Sequence, residues 1–286
     1  MKNIDTLVED IYGLFELDPI QKDEGEVDKL IDNFGEMLKS HIKEFLYRKP
    51  ESNGHLRLSG IGKPDRQLWY DINSKSNDNY LKPSVRIKFL YGYILEELLL
   101  LLAETSGHTV EGQQKEVEVE GIKGHQDAMI DGVLIDCKSA SGYGFNKFKT
   151  NTLMQDDPFG YIAQISSYAE ANGVDKAAFL AIDKSTGEIC LSKVHSMEMI
   201  NAGKRIKHLK GVVSNGVVPD RCYDSVPDGK SGNYRLSTPC VFCRHKQVCW
   251  QDANQGRGIR VFEYAKGKRF LVQVAKEPDV PEITEW

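Results

Sequence analysis

The alternation of apolar and polar positions is sharpest between residues 127 and 138. Two apolar runs, Ala128-Met129-Ile130 and Val133-Leu134-Ile135, flank Asp131-Gly132. That dipeptide favours a two-residue hairpin turn, because both central positions take positive φ. Pairing Ile130 with Val133 sets Met129 opposite Leu134, Ala128 opposite Ile135, Asp127 opposite Asp136 and His125 opposite Lys138. Side chains alternate along a strand, so His125, Asp127, Asp136 and Lys138 share one face. Ala128, Ile130, Val133, Ile135 and Cys137 form the other, which reads as core. Two carboxylates facing each other with Cβ atoms about 5 Å apart repel and weaken the pairing. A divalent cation turns that liability into a site, since Mg²⁺ is held by one or two carboxylates plus water and phosphate.

Helical periodicity covers residues 3–16 and 25–48, where Leu30, Ile31, Phe34, Leu38, Ile42, Phe45 and Leu46 recur at the right spacing. Pro50-Glu51-Ser52-Asn53-Gly54 reads as a linker. A long helix is expected from a Ser84 cap to Glu104, stopped by Ser106-Gly107. Strand material at Thr109–Val119 leads into the hairpin. A helix at Asp157–Ala171 stops at Asn172-Gly173. Strands Ala177–Asp183 and Glu188–Val194 pair through Thr186-Gly187, with Cys190 as a core thiol. Residues 196–211 read as a basic helix, 212–239 as a Gly/Pro/Ser-rich excursion and 276–286 as a loose acidic tail. The pattern is that of an α/β protein. It contains neither a phosphate-binding G-x-x-x-x-G-K-[ST] loop nor a G-x-S-x-G elbow.

Composition changes this picture little: 286 residues, 40% hydrophobic and 28% charged, are ordinary for a globular chain. The first residues do not form a signal peptide, and the apolar run Phe89–Ala103 carries Glu96 and Glu97 and is too short to span a bilayer. The expectation is a soluble, cytoplasmic protein whose six cysteines are metal ligands and core residues rather than disulfides. Charge is more telling. The net is −5, yet residues 1–54 hold 7 Lys/Arg against 13 Asp/Glu, and residues 201–270 hold 14 against 5. The C-terminal third is therefore the expected footprint of a polyanion, with a merely solvated lysine-rich surface as the alternative.

Further constellations carry chemistry. Cys240-x2-Cys243-x5-Cys249 supplies three soft ligands in one basic segment, with Cys222 as the best fourth and His245 as a substitute. Such a set suits tetrahedral zinc or an iron–sulfur cluster, as a structural staple. Tyr143, Lys147 and Lys149 lie in Ser139–Asp157, whose mixed rings and cations suit single-stranded DNA; a mobile surface loop is the alternative. Gln164 and Tyr168 share a helical face.

Asp127 followed by Asp136-Cys137-Lys138 resembles the motif of the PD-(D/E)XK nucleases. Gln164-Ile165-Ser166-Ser167-Tyr168 resembles the Q-x-x-x-Y helix of their RecB-like exonuclease branch. Tyr91-Gly92-Tyr93-Ile94-Leu95-Glu96-Glu97 resembles the upstream acidic helix, and the C-terminal cysteines resemble those of iron–sulfur members, including CRISPR-associated ones. The chain departs from the pattern at Gln126, where a proline is usual, and at Pro64-Asp65, where iron–sulfur members carry a cysteine before the residue matching Arg66.

The resemblance implies a restriction-endonuclease-like core with a mixed central sheet flanked by helices over residues 55–275. An acidic helical arm (1–54) would precede it, and a metal-stapled subdomain at 221–250 would lie within it. It further implies Mg²⁺ (or Mn²⁺) held by Asp127, Asp136, the Cys137 carbonyl and Glu97 or Glu96, Glu97 being the favoured match. Lys138 would orient the attacking water, Gln164 and Tyr168 would position it or the scissile strand, and Arg66, Arg244 and Lys246 would join Tyr143, Lys147 and Lys149 on DNA. The implied activity is metal-dependent hydrolysis at single-stranded or duplex DNA ends. The setting would be phage recombination, replication or repair, in the host cytoplasm, with a recombination or replication protein as partner. A structure-selective endonuclease and a catalytically silent DNA-binding protein are the alternatives.

Overall fold

A computed structural model describes residues 2–16, 23–47, 54–74 and 83–284. Of the linker expected at Pro50–Gly54, all but Gly54 lies outside the described residues. The chain forms two compact units, one of Met1–Gly62 with Lys75–Lys210, the other of Lys63–Ser74 with Gly211–Trp286. The division differs from the expected 1–54, 55–275 and 276–286: the acidic arm groups with the strand-rich unit, and residues 63–74 group with the C-terminal one.

In chain order come helices α1 (Leu7–Gly13), α2 (Glu24–Tyr47), α3 (Asp65–Asn73) and α4 (Pro83–Thr105). Strands β1 (Val110–Glu111), β2 (Glu116–Val119), β3 (Ile122–His125), β4 (Ala128–Ile130) and β5 (Val133–Ala140) follow. Helices α5 (Tyr143–Lys149) and α6 (Tyr161–Asn172) lead to β6 (Ala177–Asp183), β7 (Ile189–Val194) and α7 (Ala202–Ser214). Ser84, expected as a cap, lies within the first turn of α4.

The first unit is built on a mixed sheet of order β1-β4-β5-β6-β7, flanked by helices. Only β5 and β6 run parallel, and α5 and α6 supply the crossover that parallel neighbours require. The hairpin register is the expected one: Ala128 pairs with Ile135, Met129 with Leu134 and Ile130 with Val133. Asp131 and Gly132 take φ of 49° and 79° in the turn. Asp131 also accepts a hydrogen bond from the Thr109 N–H at 3.0 Å and meets His108 Nδ1 at 2.6 Å, so the turn is tied to the chain entering the sheet.

One sheet face buries Ala128, Ile130, Ile135, Cys137, Ala178 and Leu180 against Leu7 and Ile11 of α1 and Leu99, Leu100 and Ala103 of α4. Each large apolar side chain contributes about 1.5–3 kcal/mol by leaving water. On the other face the Phe179 ring meets Phe148 of α5 at 5.4 Å and Tyr161 of α6 at 6.3 Å.

Three local expectations need correction. The stretch 109–119 divides: β1 pairs with β4, while β2 pairs with β3 in a separate two-stranded sheet. His125 therefore lies opposite Glu116, not Lys138. The chain turns away at buried Gln126, whose Nε2 donates to the Gly112 carbonyl at 3.1 Å. Second, residues 143–149 form a helix rather than a loop, because Phe145 and Phe148 bury one side of it. Third, Cys190 is half-buried rather than in the core.

Glycine matters at two close approaches. Gly62 and Gly160 touch backbone to backbone, a Cβ on either standing 2.4 Å from the other. At Gly124 of β3 a Cβ would meet Leu58 at 2.8 Å and the Tyr168 ring at 3.0 Å.

The second unit carries a sheet whose strands are β8 (Val226–Pro227), β9 (Tyr234–Arg235), β10 (Arg260–Tyr264), β11 (Gly267–Gln273) and β12 (Glu282–Ile283), in the order β12-β10-β11-β9-β8. Short helices α8 (Thr238–Phe242), α9 (Lys246–Cys249) and α10 (Ala253–Gly256) accompany it. Leu236, Trp250, Ala253 and Val272 form its core. Sequence reading missed the β10–β11 hairpin, and the tail is not loose. β12 pairs with β10, and Arg260 binds Glu277 and Glu282, each at 2.5 Å.

Candidate active site

The hairpin delivers Asp136 and Lys138 of β5 to one side of the strand, with Asp127 just ahead of β4. Asp127 Oδ2 accepts the Cys137 N–H at 2.6 Å, which fixes this carboxylate against the partner strand. Asp136 is fully buried. Its Oδ1 accepts from Gln164 Nε2 at 3.2 Å, and its Oδ2 is ion-paired with Lys138. Gln164 Nε2 also lies 3.4 Å from the Tyr168 hydroxyl.

Helix α6 is set by its caps: Asp157 accepts the N–H groups of Gly160, Tyr161 and Ile162, and Gly173 ends the helix at φ 65°. The Tyr161 ring lies 5.0 Å from the Lys138 ammonium, a cation–π contact that sequence reading missed. Its signal was present, since 161, 164 and 168 follow helical spacing.

Glu96 and Glu97 of α4 join this neighbourhood. Glu96 Oε1 accepts from Gln114 Nε2 at 2.5 Å, and Glu97, 4% exposed, meets His41 Nε2 of α2 at 2.9 Å. Gln114 and His41 were not anticipated, and no spacing in the sequence connects either to α4.

Burial, then Asp127, Glu97 and Asp136, push the Glu96 carboxyl up to about 9. Burial and then Asp136 push Asp127 up to about 7. Burial likewise raises Asp136, with Lys138 opposing. Burial alone would lower Lys138; Asp136 and Asp127 outweigh it and hold the ammonium above its usual range. Several carboxylates thus share one low-dielectric region with a single ammonium, an excess of negative charge that a divalent cation would relieve. The donor set is hard oxygen, the kind Mg²⁺ or Mn²⁺ prefers.

The other expected DNA contacts of this unit are engaged internally. Lys147 Nζ meets Asp156 Oδ2 at 2.5 Å, and Lys149 meets Glu188 at 2.6 Å. Tyr143 is 75% exposed, whereas Phe145 and Phe148 are buried.

In the second unit, Cys240 and Cys249 lie within electrostatic reach of each other and of both Cys222 and Cys243. Burial is the main cause that raises the thiols of Cys222, Cys240 and Cys243. Cys222 accepts backbone hydrogen bonds from Gln67 and Arg66 in the first turn of α3. Arg66, expected on DNA, instead donates through Nε to Cys249 Sγ at 3.2 Å and through Nη1 to the Pro219 carbonyl at 2.5 Å.

Arg244 binds Asp71 at 2.6 Å, and Lys246 lies 5.5 Å from the Phe270 ring. His245, weighed as a substitute ligand, has Nε2 on Asp71 at 2.6 Å and stacks on Tyr70. Four thiols fit a soft-metal staple in donor chemistry. Among the described residues, however, no three His, Cys, Asp or Glu side chains, at the thiols or at the carboxylates of the first unit, are grouped as they would be around a metal ion.

The chain matches no protein-family model and no curated protein. Among solved structures it is similar to SSO0001, at 16% identity and TM-score 0.40, over 75% of this chain and 95% of that one. It is similar to a phage-related exonuclease from Haemophilus somnus 129PT, at 17% and 0.36, over 56% and 90%. It is also similar to the alkaline exonuclease LHK-Exo from Laribacter hongkongensis, at 14% and 0.28, over 54% and 86%. These likenesses are loose, and the chemistry has to be judged on the residues of the site. Among the described residues no helix is long and apolar enough to cross a membrane.

Proposed function

We propose that this protein is a metal-dependent deoxyribonuclease of the PD-(D/E)XK type, acting on DNA ends as a RecB-like exonuclease. The observation that carries the reading is the clustering of half-buried Glu96 and Asp127 with fully buried Asp136, which is ion-paired with Lys138. Asp127, Asp136 and one or both of Glu96 and Glu97 would hold Mg²⁺ or Mn²⁺, with the Cys137 carbonyl as a further donor. When bound, such an ion lowers the pKa of water and polarises a phosphoryl group.

Lys138, steadied by Asp136 and the Tyr161 ring, is suited to orient the attacking water and to offset charge developing on the phosphate. Gln164 holds Asp136 and reaches Tyr168, so α6 orients the acidic strand. Cys222, Cys240, Cys243 and Cys249 would bind an iron–sulfur cluster or, alternatively, zinc as a structural staple. DNA is the substrate this chemistry serves.

End-labelled linear DNA, incubated with Mg²⁺ and then with chelator, tests the proposal. Wild type should release label only with the metal, and Asp136→Ala should lower the rate at least about a hundredfold. Equal persistence of substrate with both proteins would leave a DNA-binding role at most. Covalently closed circles should resist, and their cleavage would mark a structure-selective endonuclease instead.

A further inference from the structure

We propose that His41 is a positioning residue of the carboxylate site, which makes the N-terminal arm a working part of the catalytic unit. The inference rests on the nuclease reading above and names a component that its motifs do not contain. Helix α2 has no fully buried residue; its half-buried positions, among them Leu30, Phe34, Leu38, His41 and Phe45, recur at helical spacing. His41 is the polar member of that stripe. Its side chain is 14% exposed and its Nε2 meets Glu97 Oε1 at 2.9 Å, on a carboxylate only 4% exposed. The imidazole also stacks on Tyr93, one helical turn before Glu97, with centroids 5.1 Å apart and planes 18° from parallel.

One turn further along α2, Phe45 is held from the α4 side. Arg86 lies 5.2 Å from its ring and donates to its carbonyl at 3.2 Å. The two anchors run in opposite senses along α2 and α4, so the helices are antiparallel and His41 has one register in which to meet Glu97. Residues 1–54 are acidic overall, which makes this arm a poor DNA-binding surface. His41 is the only histidine in that segment.

An imidazole N–H on one carboxylate oxygen fixes the carboxylate's rotation and leaves the other oxygen for a cation. Groups that orient ligands in this way typically change metal affinity about 10–100-fold when removed. His41 is therefore expected to act on cation binding, with little effect once the site is saturated.

The test uses the full chain and two readouts. Calcium titration without DNA, followed by calorimetry, reports binding directly; the magnesium dependence of DNA cleavage reports its use. His41→Ala should weaken Ca²⁺ and raise the half-saturating Mg²⁺ concentration about 10–100-fold, with most of the saturated rate recovered. His41→Gln, which keeps an N–H donor, should restore part of the affinity. Phe45→Ala should loosen the arm, lower the melting temperature and shift metal dependence by much less than His41→Ala.

Unaltered cation affinity in folded His41→Ala or His41→Gln overturns the proposal. So does a Phe45→Ala shift as large as that of His41→Ala, which would make the effect one of packing. Wild-type protein that binds no Ca²⁺ and cleaves no DNA would remove the nuclease reading itself, a different result from an active wild type indifferent to His41.

Discussion

At the scale of single residues, the site turns on how one ammonium is held among acids. Lys138 pairs with Asp136 and lies 5.0 Å from the Tyr161 ring, a contact worth about 0.5–2 kcal/mol according to its desolvation. The ring, not the hydroxyl, makes this contact. Tyr161→Phe should therefore keep near wild-type cleavage, whereas Tyr161→Leu should lose up to about thirtyfold in rate at saturating Mg²⁺. Equal rates for the two variants would show that the ring does not steady the lysine. Tyr161 was legible in principle from its spacing to Gln164 and Tyr168. What hid it was the absence of any local reason to place an aromatic beside a lysine 23 residues earlier in the chain.

At the scale of elements, β3 matters more than its short length suggests. It carries His125 away from the site and presses Gly124 against Leu58 and Tyr168. A side chain there has no room without displacing the Tyr168 ring, and Tyr168 lies beside Gln164, which holds Asp136. Gly124→Val should cost about 1–3 kcal/mol in urea unfolding through overpacking, and should depress cleavage beyond what stability explains. Retained activity in the fully folded variant would separate β3 from the site. The same element shows why the extended reading of 109–119 failed: buried Gln126 ends one ladder and lets β4 begin another.

At the scale of the whole molecule, charge is distributed differently from the linear count. Part of the positive excess of residues 201–270 is met within the second unit by acids outside that range, Glu277 and Glu282 on Arg260 and Asp71 on Arg244. The acidic site of the first unit has the opposite consequence for stability. Glu96 and Asp127 have raised carboxyl pKa values, about 9 and 7. The folded, metal-free state therefore binds more protons than the unfolded one above about pH 4, and its stability falls as pH rises through those values.

Chelator-treated wild type should accordingly lose melting temperature between pH 5 and 9 relative to Glu96→Gln. Mg²⁺ should restore most at the alkaline end, where Asp127 is ionised beside Lys138. Parallel curves for the two proteins would contradict the shared burial of these acids. In the second unit, anaerobically purified protein should contain iron and sulfide, or zinc, by elemental analysis, and Cys222→Ser should lower that content; an unchanged content would remove Cys222 from the ligand set.

The sequence alone determined what depends on near neighbours. Asp131-Gly132 specified the reversal, and period-two alternation placed Asp136 and Lys138 on one side of a strand and the core on the other. The 3.6 period marked Gln164 and Tyr168, and thiol spacing marked the cysteine segment. Tertiary structure alone decided which distant groups meet there: His41 on Glu97, Gln114 on Glu96, Tyr161 under Lys138, and Cys222 at the start of α3. It also assigned residues 63–74 to the C-terminal unit and fastened the acidic tail to β10. Turn chemistry and side-chain alternation act over a few residues and leave a local signature. Contacts between segments dozens of residues apart are selected by burial and packing of the assembled chain, which no short window of sequence encodes.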